Sequence, residues 1–263
     1  MLVHLDAEYI QPSGLCMAPD DSKLAPSAEL KVESSPSDPV RSAPAEMRGA
    51  ADSTLNEDRA LALLKRNDLP PEVLEQLSKN AAVLKSRKVK LAMVSHPKSP
   101  RYVSVTIVRQ LFTFDLMRVA LAPLVAGDIK MVAEETLIRR LEAITSGEKL
   151  SLARRASGRV AGALLLDPEK RVIWAALENP RLTEALIVRA LTREGQPALV
   201  QAACHHPKWS LRREIRIALL RNQHTPLARA MEYARGLPAP VLKEILQSSQ
   251  LPESIKGCLL KSD

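Results

Sequence analysis

The residues best suited to chemistry are a thiol and two imidazoles in a row, Cys204, His205 and His206. A cysteine beside a histidine base can act as a nucleophile, and both residue types bind Zn²⁺. Zinc needs three or four converging ligands, however, and the sequence has no second Cys/His cluster. It also lacks a glycine-rich phosphate loop and the His-Glu-x-x-His and Gly-x-Ser-x-Gly motifs. We therefore expect no catalytic residue, metal or cofactor and predict that the chain is not an enzyme, with a cysteine nucleophile as an unsupported alternative.

Clusters of basic side chains are the second candidate for function. If a regular fold placed them on one side, they would form a positive surface suited to phosphate backbones. Aromatic residues make up only 3% of the chain, which leaves little for base stacking. The candidate binding surface consists of Lys85, Arg87, Lys88, Lys90, Arg139, Arg140, Arg154, Arg155, Arg159, Arg212, Arg213 and Arg216.

Charge divides the chain into two parts. Residues 1–58 hold 11 acidic and 4 basic residues, whereas residues 59–263 hold 34 basic and 19 acidic ones. Residues 12–53 are rich in Pro, Ser and Ala, so they bury too little apolar surface to offset the entropy of ordering. We predict a disordered acidic tail over residues 1–55 and a helical domain over residues 56–263. The tail either screens the basic surface or leaves it free for an acidic partner. The plain alternative is that the Arg and Lys side chains only solvate the helix faces and bind no partner.

A repeated phrase organises the second part of the chain. Ala-x-x-x-His-Pro occurs at residues 92–97 and 202–207, and a copy with Asn in place of His occurs at residues 175–180. Such repetition is typical of a chain built by stacking one small unit. Apolar residues spaced three apart flank each copy, which predicts a helix on either side. The copies are unevenly spaced, so a diverged array is expected.

The phrase itself predicts a helix end followed by a helix start. A residue before proline is disfavoured in the α region, so His96, Asn179 and His206 should lie just beyond a helix end. Asn and His can also adopt the left-handed conformation that often ends helices. Ser99 and Thr225, each followed by proline, are predicted N-caps. Aligning the copies places Cys204 and Trp209 in the core, which makes their roles structural.

These junctions resemble those of the HEAT-like α-solenoids, and within them the leucine-rich repeat variant proteins of bacterial type. The likeness rests on residues 96–100, 179–183 and 222–226, which read His-Pro-Lys-Ser-Pro, Asn-Pro-Arg-Leu-Thr and Asn-Gln-His-Thr-Pro. The resemblance implies an all-α fold, a right-handed α-solenoid of short helix-turn-helix repeats, with about a dozen or more helices. Some variant-repeat proteins hold an iron–sulphur cluster, but this chain lacks the cysteine cluster that would bind one.

HEAT-like folds also include alkylpurine DNA glycosylases, which use a carboxylate with aromatic neighbours. Asp115, next to Phe114, is the corresponding residue to inspect, although a helix-capping role is expected for it. One run, residues 102–108, has a β-like composition but aligns with the helical copies, so we predict a helix there.

The function predicted from these observations is a non-enzymatic protein–protein interaction or scaffold module with an unidentified protein partner. The alternative is a nucleic-acid-binding solenoid that uses the basic face, and a glycosylase-like enzyme is a weaker one. No small-molecule substrate is indicated. No membrane association is indicated either, since no segment has about 18 uninterrupted apolar residues. With no signal peptide at the start and only Cys16, Cys204 and Cys258 as cysteines, the expected location is the cytoplasm.

Overall fold

The computed structural model describes residues 49–50 and 55–261. Residues 55–261 contain fifteen α-helices of 7–14 residues, a 3₁₀ turn at Val83–Lys85 and no strand, which confirms the all-α prediction for this part of the chain. The β-like run, residues 102–108, is helical. The helices are α1 (Glu57–Leu64), α2 (Pro71–Lys79), α3 (Arg87–Ser95), α4 (Arg101–Val108), α5 (Thr113–Leu121), α6 (Gly127–Arg140), α7 (Ser146–Arg155), α8 (Gly158–Leu164), α9 (Lys170–Leu177), α10 (Glu184–Glu194), α11 (Pro197–His205), α12 (Arg213–Arg221), α13 (Leu227–Ala234), α14 (Ala239–Gln247) and α15 (Glu253–Lys261).

Most of the helices pack against the next helix but one. The even-numbered helices from α4 to α14 contact one another in succession, and we call them the even row. Among the odd-numbered helices, α1, α3 and α5 pack in succession, as do α7, α9 and α11, and then α13 and α15; these form the odd row. Sequence neighbours such as α5 and α6 connect the two rows. The apolar core includes Leu137, Leu152, Val160 and Ile173, which are fully buried.

The repeated phrase ends helices as predicted. His96 and His206 are the residues directly after α3 and α11, and Asn179 lies two residues after α9. The backbone at His96 and His206 is extended, with φ of −75° and −74°, and not left-handed. Because a proline follows each of them, the steric restriction on the preceding residue decides the conformation.

The predicted N-cap hydroxyls are wrong. Pro100 and Pro226 themselves occupy the N-cap positions of α4 and α13, and neither helix has a side-chain cap. Thr225 is buried, and its hydroxyl donates to the carbonyl of Leu219 near the end of α12 at 2.6 Å. The same carbonyl accepts from the backbone N–H of Asn222 at 3.0 Å, so the hydroxyl adds a second bond near the end of the preceding helix.

The predicted tail, residues 1–55, lies outside the described residues except for Gly49, Ala50 and Leu55. Gly49 and Ala50 are helical, and Ala50 is buried. The carbonyl of Ala50 accepts a bond of 3.3 Å from the side chain of Asn80. None of the described helices is both long enough and apolar enough to cross a membrane.

Candidate functional site: helix junctions and exposed arginines

Asn179 shows what the repeated junction does. Its Nδ2 donates to the carbonyls of Ala153 and Ala156 at 2.6 and 3.2 Å, at the end of α7. Its Oδ1 accepts from the backbone N–H of Arg181 at 2.8 Å. One buried amide therefore closes its own turn and caps the neighbouring helix of the odd row. The last four carbonyls of a helix have no partner within the helix, so this cap satisfies groups that would otherwise be buried unpaired.

The same two bonds recur at four other helix ends. In each case the side chain accepts from the backbone N–H two residues later, at 2.9–3.2 Å. Each also donates to a carbonyl 29–31 residues earlier. We call these residues and Asn179 the polar ladder. The donor–acceptor pairs are Asn80 Nδ2 to Ala50 (3.3 Å), His96 Nε2 to Arg66 (2.9 Å), Asn222 Nδ2 to Leu191 (3.0 Å) and Ser249 Oγ to Leu220 (2.6 Å).

His206 and Trp209 divide these two roles between them. His206 Nδ1 accepts from the backbone N–H groups of Lys208 and Trp209 at 3.2 and 3.3 Å. The donor is instead the indole Nε1 of Trp209, which bonds the carbonyl of Leu177 at 2.7 Å. The predicted core position of Trp209 is confirmed, since the residue is 3% exposed. Trp174, which is partly exposed, stacks on the His206 ring at a centroid distance of 5.6 Å.

Cys204 and His205 do not face each other as a nucleophile and its base would. The Cys204 side chain is buried in the core, as predicted, and burial raises the pKa of its thiol. A raised pKa disfavours the thiolate, which is the reactive form. His205 is exposed, and its Nδ1 bonds the carbonyl of Gln201 one turn earlier at 2.8 Å. Among the described residues, no three His, Cys, Asp or Glu side chains lie close enough together to hold a metal ion.

Asp115 has a different role from the expected helix cap. It lies in the first turn of α5 and is fully buried, and no side chain caps that helix. Its carboxylate forms a two-point ion pair with Arg87 of α3, with one bond of 2.9 Å. The expectation is wrong because α3 and α5 are row neighbours, and a contact 28 residues away is not visible in the local sequence.

Four of the predicted basic surface residues are engaged within the fold. Arg87 binds Asp115, and Arg159 pairs with glutamates of α6 at 3.3 and 3.8 Å. Arg140 donates to the carbonyls of Leu111 and Arg109 at 2.6 Å each. Arg216 donates to the carbonyl of Ser210 at 2.7 Å and lies over the ring of Tyr233. These guanidinium groups stabilise helix packing or helix ends, in addition to contributing charge.

The other eight predicted basic residues fall in several places. Lys85, Lys88 and Lys90 lie at the start of the described domain, where Lys88 Nζ is 3.4 Å from Glu57 and Lys90 is half-buried. Arg139 is exposed at the end of an even-row helix. The exposed pairs Arg154–Arg155 and Arg212–Arg213 end α7 and begin α12, at junctions where an odd-row helix passes to an even-row one.

Successive junctions of the odd row lie next to one another. The Arg181 guanidinium donates to the Arg155 carbonyl at 3.3 Å, and the bond from Trp209 to Leu177 joins the next pair. The exposed cations that these junctions bring to one edge are Arg154, Arg155, Arg181 and Lys208. Arg181 and Lys208 were not among the predicted surface residues, although each follows a predicted junction by two positions.

A groove over the even row was also missed by the sequence reasoning. It crosses α8 between α6 and α10, with a volume of about 290 Å³. Its floor is half-buried and largely apolar, and its rim carries guanidinium groups. The α6 side is lined by Ile138, and the α10 side by Leu186, Arg189, Ala190 and Arg193. Between them lie Arg159, Gly162 and Ala163 of α8, with Leu166 from the segment that follows α8. The signal in the sequence was the helical spacing of small residues between arginines.

Comparison of the chain with family models, curated proteins and solved structures finds no match.

Proposed function

We propose that the helical domain is an α-solenoid that acts as a non-enzymatic interaction module for a protein partner. The observation that carries this proposal is the polar ladder, whose bonds join helix ends 23–31 residues apart, as expected for a stacked repeat. We infer a right-handed superhelix by resemblance to HEAT-like repeats. Such stacks offer an extended surface to partners, which is their usual mode of binding.

The distribution of reactive groups supports a binding role. The thiol of Cys204, the carboxylate of Asp115 and the ring of His206 are buried in the fold and take part in packing or in helix junctions. By contrast, the groove over the even row presents arginines beside half-buried aliphatic groups. Interface cores are enriched in such apolar groups and in arginine.

A direct test is affinity capture with the full chain, followed by reconstitution with the purified partner. We expect a saturable complex that sediments with a fixed stoichiometry. As a matched control, Asn179→Ala should weaken capture only when it also unfolds the domain, since that residue is buried. Failure to reconstitute any captured protein as a defined complex would refute the proposed role.

A nucleic-acid-binding solenoid is the second candidate, and the run of exposed cations at the odd-row junctions favours it. A phosphate backbone following this edge would contact Arg154, Arg155, Arg181 and Lys208 in turn. Binding of duplex DNA to the full chain should then weaken steeply as salt rises from about 50 to 200 mM, and the double variant Arg154→Glu/Arg155→Glu should abolish it. An absence of salt-sensitive binding would eliminate this candidate.

The glycosylase-like alternative depends on Asp115. Its carboxylate is 1% exposed and paired with Arg87, so a substrate would first have to displace that ion pair. An assay for release of alkylated bases from DNA, with Asp115→Asn as the control, tests this alternative. We expect no release above the control.

A further inference from the structure

The groove over α8 has an apolar floor that no described element covers. Gly162, Ala163 and Leu166 lie at helical spacing on the α8 side, and Leu186 and Ala190 face them from α10. A second depression shares Ile138, Ala163 and Leu166 and continues the floor towards α6. The floor is therefore continuous across three helices of the even row.

Packing does not require the glycine in this floor. A Cβ added at Gly162 would meet only the side chain of Leu186, at an ordinary contact distance of 3.5 Å. Glycine in a helix interior destabilises the helix relative to alanine. Alanine would thus fit and stabilise α8, but it would make the groove shallower. The glycine maintains the depth of the depression at the expense of helix stability.

Charge is unequal across the groove. On the α6 side, Arg159 is balanced by Glu134 and Glu135, at 3.8 and 3.3 Å. On the α10 side, Arg189 is exposed and has no ion-pair or hydrogen-bond partner among the described residues. Arg193 lines the same side one turn later. An acidic group is therefore attracted to α10 and repelled by the glutamates of α6.

We propose that this groove binds an acidic segment of a partner protein, with aliphatic side chains on the α8 floor and carboxylates against Arg189 of α10. The proposal rests on the proposed function and names the site and the chemistry of the partner. An acidic peptide fits better than a nucleic acid because the floor offers apolar contact for aliphatic side chains, which a phosphate backbone does not use. A phosphate backbone would find its cations at the odd-row junctions instead.

The test begins with selection of peptides from a random display library against the immobilised full chain. The selected peptides should be enriched in Asp and Glu next to Leu or Ile. The best peptide is then synthesised with a fluorophore and titrated by anisotropy against purified variants. Arg189→Glu removes the attraction, Gly162→Leu fills the floor without changing charge, and Arg118→Glu is a matched charge reversal at an exposed site on α5.

We expect Arg189→Glu and Gly162→Leu each to weaken binding by about tenfold or more, whereas Arg118→Glu changes it by about twofold or less. A peptide with Lys in place of Glu should bind Arg189→Glu better than wild type, which excludes simple unfolding as the cause. Gly162→Ala should keep a measurable affinity, and far-UV circular dichroism checks that every variant is folded.

Four outcomes overturn the inference. Selected peptides without acidic residues would refute the chemistry, and peptides that bind both groove variants as tightly as wild type would refute the site while leaving a protein-binding function in place. If the library yields no specific peptide and duplex DNA binds with steep salt dependence, both the inference and the proposed function fail. Competition by a synthetic peptide of residues 17–48 would assign the groove to this chain's own segment, which also overturns the proposal.

Discussion

Replacing Asn179 is the sharpest test of the polar ladder. Its side chain is 1% exposed, donates to two carbonyls and accepts one backbone N–H. Asn179→Ala leaves these groups without a partner, and each buried unsatisfied group costs about 1–3 kcal/mol. Since the Arg181 N–H is only part-buried, we expect a total loss of about 2–4 kcal/mol in the free energy of unfolding.

Asn179→Asp separates the donor role from the size of the side chain. It keeps the acceptor for Arg181 but turns a carboxylate oxygen towards the carbonyls of Ala153 and Ala156. Burial and these two oxygens should raise the folded pKa of the new carboxyl above the unfolded value of about 3.9. A raised folded pKa means that the folded state binds more protons, so this variant should recover stability relative to wild type as pH falls. The alanine variant should show no such recovery.

Urea denaturation followed by far-UV circular dichroism measures these differences at about pH 7 and pH 4.5, because a carboxyl with a raised folded pKa takes up protons in this range. Arg171→Ala, an exposed change on the preceding helix α9, is the matched control and should stay within about 0.5 kcal/mol of wild type. If Asn179→Ala behaves like that control, the junction bonds do not stabilise the fold and the argument from the polar ladder is refuted.

Three further changes test separate contacts. Gly158→Ala should lower the free energy of unfolding by about 1–3 kcal/mol in urea titrations, because the added Cβ would lie 2.3 Å from a backbone carbonyl oxygen. Gly257→Ala, where the added Cβ would meet open space, should raise the free energy of unfolding by about 0.5–1 kcal/mol. Equal effects of the two substitutions would contradict this reasoning. Burial lowers the pKa of His206, so stability should fall as pH drops below about 6.5, and His206→Asn should flatten that part of the pH–stability curve. Arg87→Ala should lower the urea midpoint more than Asp115→Asn, since it leaves a buried carboxylate unpaired whereas the half-exposed arginine can turn to water. A lower urea midpoint for Asp115→Asn than for Arg87→Ala would show that the ion pair does not stabilise the packing of α3 against α5.

Local signals in the sequence were enough to locate three helix ends, those of α3, α9 and α11. A proline follows His96, Asn179 and His206, and the backbone at the two histidines is extended. The apolar spacing on either side of each residue predicts the flanking helices. Aligning the copies also placed Cys204 and Trp209 in the core, because their slots hold apolar residues elsewhere. These inferences succeed because they depend on contacts within one or two turns of the chain.

Contacts between repeats were not predictable in the same way. Asn179 was predicted to end a helix, but its bonds to Ala153 and Ala156 span 26 and 23 residues. The burial of Asp115 depends on Arg87 in another helix, 28 residues away. The uneven spacing of the repeated phrase hid the common separation of about 30 residues, since several helix ends use other side chains in the same role. Ser249 is one such case, and it resembles neither His nor Asn in sequence.

The basic residues illustrate the same limit for function. Net charge does not separate free cations from those that bond the fold. Arg140 and Arg181 donate to carbonyls at or just beyond helix ends, 26–31 residues earlier. Lys98 donates to the carbonyl of Asp68, in a turn 30 residues earlier. Cations at helix carbonyl ends are stabilising, so part of the positive charge serves the fold. The guanidinium groups without such a partner, Arg189 above all, are therefore better guides to a binding surface than the total charge. Function in this chain should be sought where an arginine lies beside apolar surface that the repeats leave uncovered.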